Sequence, residues 1–485
     1  MGGNCISTIC FFAMTLSAHA EIKMPSMFGE NMVLQGGART PIYGQALPNE
    51  TIRVTVGSQT SLALADSGGR WKAEMKLKPT SSPVTVKIEA ANEKIIYRNV
   101  LIGEVWLCGG QSNMEWSLHD TRAAKKAPKE LPSFDRKDIR LFTVKHSVAN
   151  EPLADVKGQW IVCSTDKASD FSLLGLYFGV HLADRIRQPV GLVDTSWGGT
   201  PAESWTSKNA LALSPITFPL INSMAPSPLG AGQESGRLKI ERKASVLYNG
   251  MVAPVLDYGF RGVIWYQGES NVGRADQYKT LFPALIADWR KQAKRQFPFL
   301  FVQLANYANH NPSATDYAEL RASQQFALET VPKTGMASAI DLGDPSDIHS
   351  PRRDELAKRL MWVALDKAYG LQAPSLGPVY KECFIEGDRM RIDFTNKLNG
   401  LIMRGYNGLS GFEIAGENRQ FYKGYAKIEG NTIVVSSPFV SKPCAVRYAW
   451  RNAPEASFYN SAGLPACPFR TDDWETEADP AANSV

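Results

Sequence analysis

The stretch Gly103-Glu-Val-Trp-Leu-Cys-Gly-Gly-Gln-Ser-Asn-Met-Glu-Trp116 begins as an apolar run and stops at two glycines followed by Gln111, Ser112 and Asn113. This pattern predicts a buried strand feeding a tight turn, with the next residues held at the mouth of a sheet and their amide hydrogens free. Ser112 is therefore a candidate nucleophile. A serine after a strand more commonly caps the following helix, and Gly110-Gln-Ser-Asn-Met114 lacks the second glycine of a Gly-x-Ser-x-Gly elbow. The rest of the chain decides between these readings.

From residue 101 to about 370, apolar strands alternate with helical patterns. Further strands are expected at 189–195, 262–266, 297–304 and 335–341, and helices at 171–187, 276–296, 317–330 and 355–369. Five buried strands alternating with helices predict a parallel five-stranded sheet covered on both faces, an α/β class, with functional groups beyond the strand C-termini. Residues 22–99 instead alternate apolar and polar positions between Gly, Pro, Asn and Ser breakers, as in Thr51-Ile-Arg-Val-Thr-Val56, which predicts a β-sandwich. The pattern reverts to β after Leu371, with strand character in Met390-Arg-Ile-Asp-Phe394, Thr432-Ile-Val-Val-Ser436 and Ala445-Val-Arg-Tyr-Ala-Trp450. The expected division is 1–20 signal peptide, 21–100 N-terminal β-sandwich, 101–370 catalytic α/β domain, 371–475 C-terminal β-domain and 476–485 tail.

At 485 residues, 44% hydrophobic and 21% charged, the composition is that of a globular protein of several domains. A net charge of +5 with scattered Lys and Arg gives no basis for nucleic-acid binding. The run Ile6-Ser-Thr-Ile-Cys-Phe-Phe-Ala-Met-Thr-Leu16 before Ser17-Ala-His-Ala20 reads as a secretory signal, although its start carries no Lys or Arg. It is too short to span a bilayer, so a secreted or periplasmic protein without stable membrane insertion is expected. Beyond the signal remain Cys108, Cys163, Cys383, Cys444 and Cys467, an odd number; an oxidising compartment would permit a pair among the last three. No CxxC or His-rich cluster suggests a metal.

Three turns at strand ends compare with that of Ser112. Ser196-Trp-Gly-Gly-Thr200 could present backbone N–H groups to an anion. Trp265-Tyr-Gln-Gly-Glu-Ser-Asn271 concentrates two amides and a carboxylate, and a buried amide such as Gln267 could stabilise an oxyanion. Asp341-Leu-Gly-Asp-Pro-Ser-Asp-Ile-His349 ends in a histidine before the last helix. A serine hydroxyl needs a base, and an imidazole needs a carboxylate to fix its tautomer, which His349 with Asp347 or Asp344 would supply. All these turns would meet on one rim. The expected chemistry is acyl-ester hydrolysis: Ser112 attacks, His349 shuttles the proton, Asp347 orients His349, and N–H donors hold the oxyanion.

Together these blocks, with Trp197-Gly-Gly-Thr-Pro-Ala-Glu-Ser-Trp205 and the end segment Gly463-Leu-Pro-Ala-Cys-Pro-Phe-Arg-Thr-Asp472, resemble the sialate O-acetylesterases, a branch of the SGNH hydrolases. The resemblance implies a flavodoxin-like SGNH catalytic domain flanked by β-sandwich-like domains, and removal of acetyl groups from a sialic-acid or glycan substrate without metal or organic cofactor. It further implies Ser112 as nucleophile and one oxyanion N–H, Gly199 as a second donor, Gln267 or Asn271 as a side-chain donor, and Glu269 near the rim. The sequence departs from the general SGNH pattern at Gly268-Glu-Ser-Asn271, where Gly-x-Asn-Asp is usual, and at Ser346, where the Asp three before the histidine would stand. An acetylxylan or other polysaccharide O-acetylesterase shares the same blocks, and a non-catalytic carbohydrate-binding protein is the reading from another class. The sequence sets no oligomeric state.

Overall fold

The computed structural model describes residues 22–123, 133–223, 239–309, 311–405 and 408–474. The expected signal peptide and the 476–485 tail lie outside them. The central sheet contains β1 (Lys94–Gly110), β2 (Arg136–Thr143), β3 (Trp160–Cys163), β4 (Val190–Asp194), β5 (Gly262–Tyr266), β6 (Phe299–Gln303) and β7 (Thr334–Ser338). Their order across the sheet is β7-β6-β5-β1-β4-β2-β3. All neighbours run parallel except β3, which pairs antiparallel with β2. The expected five strands are present, and β2 and β3 extend the sheet beyond them. β2 escapes a hydrophobic reading because Arg-Lys-Asp-Ile-Arg-Leu-Phe-Thr carries buried Arg140 inside it, with its Nη2 on Asn99 Oδ1 at 3.3 Å.

β4, β5, β6 and β7 are buried at every position, as expected for parallel strands covered on both faces. The covering helices are α1 (Leu173–Ile186), α2 (Ala275–Gln292), α3 (Asp316–Thr330) and α4 (Arg353–Tyr369). Trp106 stands in register with Gly262 and packs its ring against Phe178 of α1, whereas Trp265, three residues on, packs against Trp289 of α2. An odd offset along a strand reverses the face, so α1 and α2 lie on opposite sides. A Cβ on Gly335 of β7 would meet Val363 of α4 at 2.4 Å, so α4 is seated on the sheet without an intervening side chain. Ser172 starts α1 by accepting from Gly175 N at 3.0 Å, and its hydroxyl also donates to Met114 O at 2.6 Å. The start of α1 is thereby fastened to the turn after β1.

Before the central sheet, strands Thr51–Val56, Gln59–Leu64 and Thr80–Glu89 pair antiparallel, and the last of them pairs with the first half of β1. A second pair joins Arg39–Gln45 to Arg70–Lys76. One strand of 17 residues thus belongs to the N-terminal sheet at its start and to the central sheet at its end. After α4 come two four-stranded antiparallel sheets around a separate core that includes Phe394, Phe412, Tyr448, Phe458 and Phe469. Buried Arg321 of α3 ties this region down, donating to the carbonyls of Arg451 at 2.9 Å and Asn452 at 2.8 Å. Cys108, Cys163, Cys383, Cys444 and Cys467 are all free thiols, so no pair forms among the last three. Among the described residues no helix is long and apolar enough to cross a membrane.

β1 ends where Gly110 takes φ +140°, and a Cβ there would stand 2.1 Å from the Tyr266 carbonyl oxygen. Both the backbone conformation and the space require glycine. Gly110→Ala is expected to destabilise the protein by about 3 kcal/mol, read as a lowered denaturation midpoint, because strain and a backbone clash add.

Candidate active site

Gln111 N donates to Tyr266 O at 3.0 Å, and the chain then enters a single helical turn, Ser112–Glu115. Ser112 is its first residue and stays partly exposed, while Asn113 and Met114 are buried. Three side chains of this turn and its cap each grip a different loop. Asn113 Nδ2 donates to Ile348 O at 3.0 Å and to Glu269 Oε1 at 2.6 Å. Glu115 Oε2 accepts from Gly198 N at 2.6 Å, and its Oε1 lies 2.9 Å from His146 Nε2. The Trp116 ring stacks on His349, with centroids 3.9 Å apart and planes 19° apart.

These grips bring His349 Nε2 to 3.0 Å from Ser112 Oγ, although 237 residues separate them. That is the distance a base needs to take a hydroxyl proton. Asp347 is the carboxylate beside His349: its Oδ1 accepts from the His349 backbone N at 2.8 Å and lies 3.5 Å from Nδ1. The second distance is that of an ion pair. Asp344 instead accepts from Ser346 N at 2.8 Å and Ser346 Oγ at 2.6 Å.

On the other side of Ser112, a Cβ on Gly198 would meet Ser112 Cβ at 3.3 Å and Glu115 Oε2 at 2.8 Å. Gly199 takes φ +71° with open space where a side chain would point. Among the described residues neither Ser112 N nor Gly199 N has an acceptor, while the Gly199 carbonyl accepts from Arg242 Nη1. The Ser112 N–H is free for the general reason that a first helical residue has no intrahelical acceptor.

The amides of the third turn are placed differently from expectation. Gln267 is fully buried and donates to Asn271 Oδ1 at 2.7 Å and Thr200 O at 3.3 Å, which uses both its N–H groups. Asn271 is buried too; its Oδ1 accepts from Ala202 N at 2.9 Å and its Nδ2 donates to Glu203 Oε2 at 2.9 Å. Glu203 is in turn held by Arg274 Nη1 at 2.7 Å. Gln267 and Asn271 therefore brace the loop that presents Gly199. The expectation of a side-chain oxyanion donor from Gln267 is corrected by this bonding.

Two buried carboxyls flank the site. Burial pushes Glu269 up to about 7, opposed by a backbone bond and the Asn113 amide. Burial likewise raises Asp194 to about 7, against hydrogen bonds from Ser196. Burial draws the exposed-edged His146 down, but the hydrogen bond and charge of Glu115 outweigh it and hold His146 above its ordinary value. His146 also stacks on Trp197 at 3.9 Å. A cavity of about 480 Å³ opens beside Glu115, Trp116, His146 and Asp194. Glu115, Trp116, His146 and Arg242 were not anticipated from sequence, although the first two lie in the stretch that carries Ser112.

No group of three or more His, Cys, Asp or Glu is arranged to hold a metal among the described residues. The site's donors are amides and its acceptors an imidazole and carboxylates, a set suited to proton transfer and oxyanion binding. A carboxyl whose folded pKa is raised binds protons more tightly when folded, so its contribution is most favourable below about pH 4.5 and is lost as pH rises toward 7. Glu269→Gln is expected to remove part of that decline, on the order of 1–3 kcal/mol between pH 5 and pH 8, measured by denaturant unfolding at both values.

The family model for carbohydrate esterases described as sialic acid-specific acetylesterase matches residues 102–361. A sialate O-acetylesterase of Rattus norvegicus is 30% identical over 512 residues, covering 92% of this chain and 94% of the relative. The Homo sapiens sialate O-acetylesterase is 29% identical and covers 93% of each. The crystal structure of a carbohydrate acetylesterase from Xanthomonas citri superposes with a TM-score of 0.83 at 31% identity, covering 94% of this chain and all of that one. The chain therefore belongs to the sialic acid-specific acetylesterase family of carbohydrate esterases and is a carboxylic ester hydrolase.

Proposed function

We infer that this protein is a sialate O-acetylesterase that works through an acetyl-serine intermediate. The observation that carries the reading is the 3.0 Å approach of His349 Nε2 to Ser112 Oγ at the rim of the sheet. His349 takes the hydroxyl proton as Ser112 Oγ attacks the acetyl carbonyl, and the N–H groups of Ser112 and Gly199 receive the oxyanion. The tetrahedral species collapses, the sugar oxygen leaves with the proton held by His349, and the acetyl group remains on Ser112. A water molecule, deprotonated by His349, then attacks the acetyl-serine and releases acetate. Asp347 fixes the backbone of His349 and lies 3.5 Å from its Nδ1, where the carboxylate orients the ring.

The sheet order and the helices on both faces support the reading of a flavodoxin-like SGNH hydrolase domain, and the division at about 100 and 370 is read as β-domain, catalytic domain and β-domain. The apolar run at residues 6–16 supports action in a secreted or periplasmic setting. The Xanthomonas relative is described by the broader term carbohydrate acetylesterase, so acetylated xylan stands as the competing substrate.

Acetate release from 9-O-acetylated sialic acid and from acetylated xylan discriminates these. Wild type is expected to act on the sialic acid, and Ser112→Ala to lose at least about 10³-fold in kcat. Release confined to xylan reassigns the substrate, and activity surviving in Ser112→Ala ends the nucleophile reading.

A further inference from the structure

Arg353 opens α4, four positions after His349, and is only 3% exposed. Its Nη1 donates to Ser350 O at 2.7 Å. Its Nε and Nη2 are buried without an acceptor, and among the described residues no carboxylate forms an ion pair with it. Burial lowers the guanidinium pKa only to about 10, so it stays charged at neutral pH. An uncompensated buried charge is costly, and removing one in favour of an apolar side chain is often neutral or stabilising. Holding the backbone of Ser350 would not by itself call for a cation.

The guanidinium carbon lies 5.4 Å from the centre of the Trp116 ring. Trp116 is the same indole that stacks on His349. We propose that Arg353 is a positioning residue whose buried positive charge, one indole away from His349, disfavours the imidazolium and so keeps His349 Nε2 able to accept the Ser112 proton. The proposal rests on the reading of Ser112 and His349 as nucleophile and base.

The other groups facing this assembly do not supply the same field. Asp347, on the histidine's own loop, favours the imidazolium, but its carboxylate is 36% exposed and gives its short bond to the backbone. Glu269 is reached through Asn113, and burial holds it near half-protonation at neutral pH. Asp120, Asp347 and the phenols of Tyr177 and Tyr266 face Arg353, and Tyr307 faces Asp347. Asp120 is engaged by Ser117 N at 2.9 Å and Ser117 Oγ at 2.7 Å. Of these groups Arg353 alone is a cation. At such separations a partly buried charge is strong enough to move a neighbouring pKa by about one unit.

The experiment combines the NMR titration of the His349 imidazole with the pH dependence of kcat/KM in wild type, Arg353→Met, Arg353→Gln and Arg353→Lys. Without the cation the imidazole pKa rises, so the acidic limb moves to higher pH. The expected result is a parallel rise of about one unit in both readouts for the Met and Gln variants, a limb near wild type for Lys, and an unfolding midpoint not lowered in Met. Arg353→Gln keeps a donor for Ser350 O and carries the same prediction where Arg353→Met fails to fold. An imidazole pKa unchanged in the neutral variants overturns the proposal. The imidazole titration reads the field of Arg353 without turnover, so it stands apart from the Ser112→Ala assay that tests the nucleophile.

Discussion

The close passage of Gly110 beneath the Tyr266 carbonyl is the constraint on which the rest of the site depends. Only there can β1 turn tightly enough for Gln111 N to reach the same carbonyl oxygen, at 3.0 Å, and start the helical turn that bears Ser112. The turn is too short to hold itself by intrahelical bonds. It is held by what its residues grip: the Asn113 side chain the loop before His349, the Glu115 side chain the loop of Gly198, and the backbone carbonyls of Met114 and Trp116 the start of α1. Ser112, His349 and Gly199 come from segments far apart in sequence, and the turn that carries Ser112 touches the loops of the other two.

The electrostatics follow from the same packing. The sheet's C-terminal rim buries Asp194, Glu269 and Arg353, groups that would be solvated elsewhere. Each is shifted toward its neutral form by the loss of water, and none of the three is matched by a close opposite charge. Such groups lower stability, and their concentration around Ser112 and His349 is the pattern expected where stability yields to function. Glu203 with Arg274 behaves in the opposite way: a matched pair at 2.7 Å that fixes Asn271 and, through it, Gln267.

Much of this was legible in the chain. Uninterrupted apolar runs such as Gly262-Val-Ile-Trp-Tyr266 announce parallel strands, and the strand-end turns at Ser112, Gly199 and His349 do lie together. β2 was not legible, because a buried arginine interrupts its apolar pattern. Gln267 misled for a physical reason: an amide in a turn after a strand looks equally able to face the cleft or to brace the loop, and only the presence of Thr200 O and Asn271 Oδ1 as neighbours decides. His146 could not be found in advance, since its partner Glu115 is 31 residues away and the strand that delivers it was unrecognised.

The central claim, that the acetyl group passes through Ser112, is tested most directly by acid-quenching the protein during turnover of an acetylated sialic acid and mapping acetylated peptides by mass spectrometry. The account predicts a transient acetyl group on Ser112 that disappears as substrate is exhausted. Steady acetate release with Ser112 never acetylated, or with the acetyl group on another side chain, would contradict it.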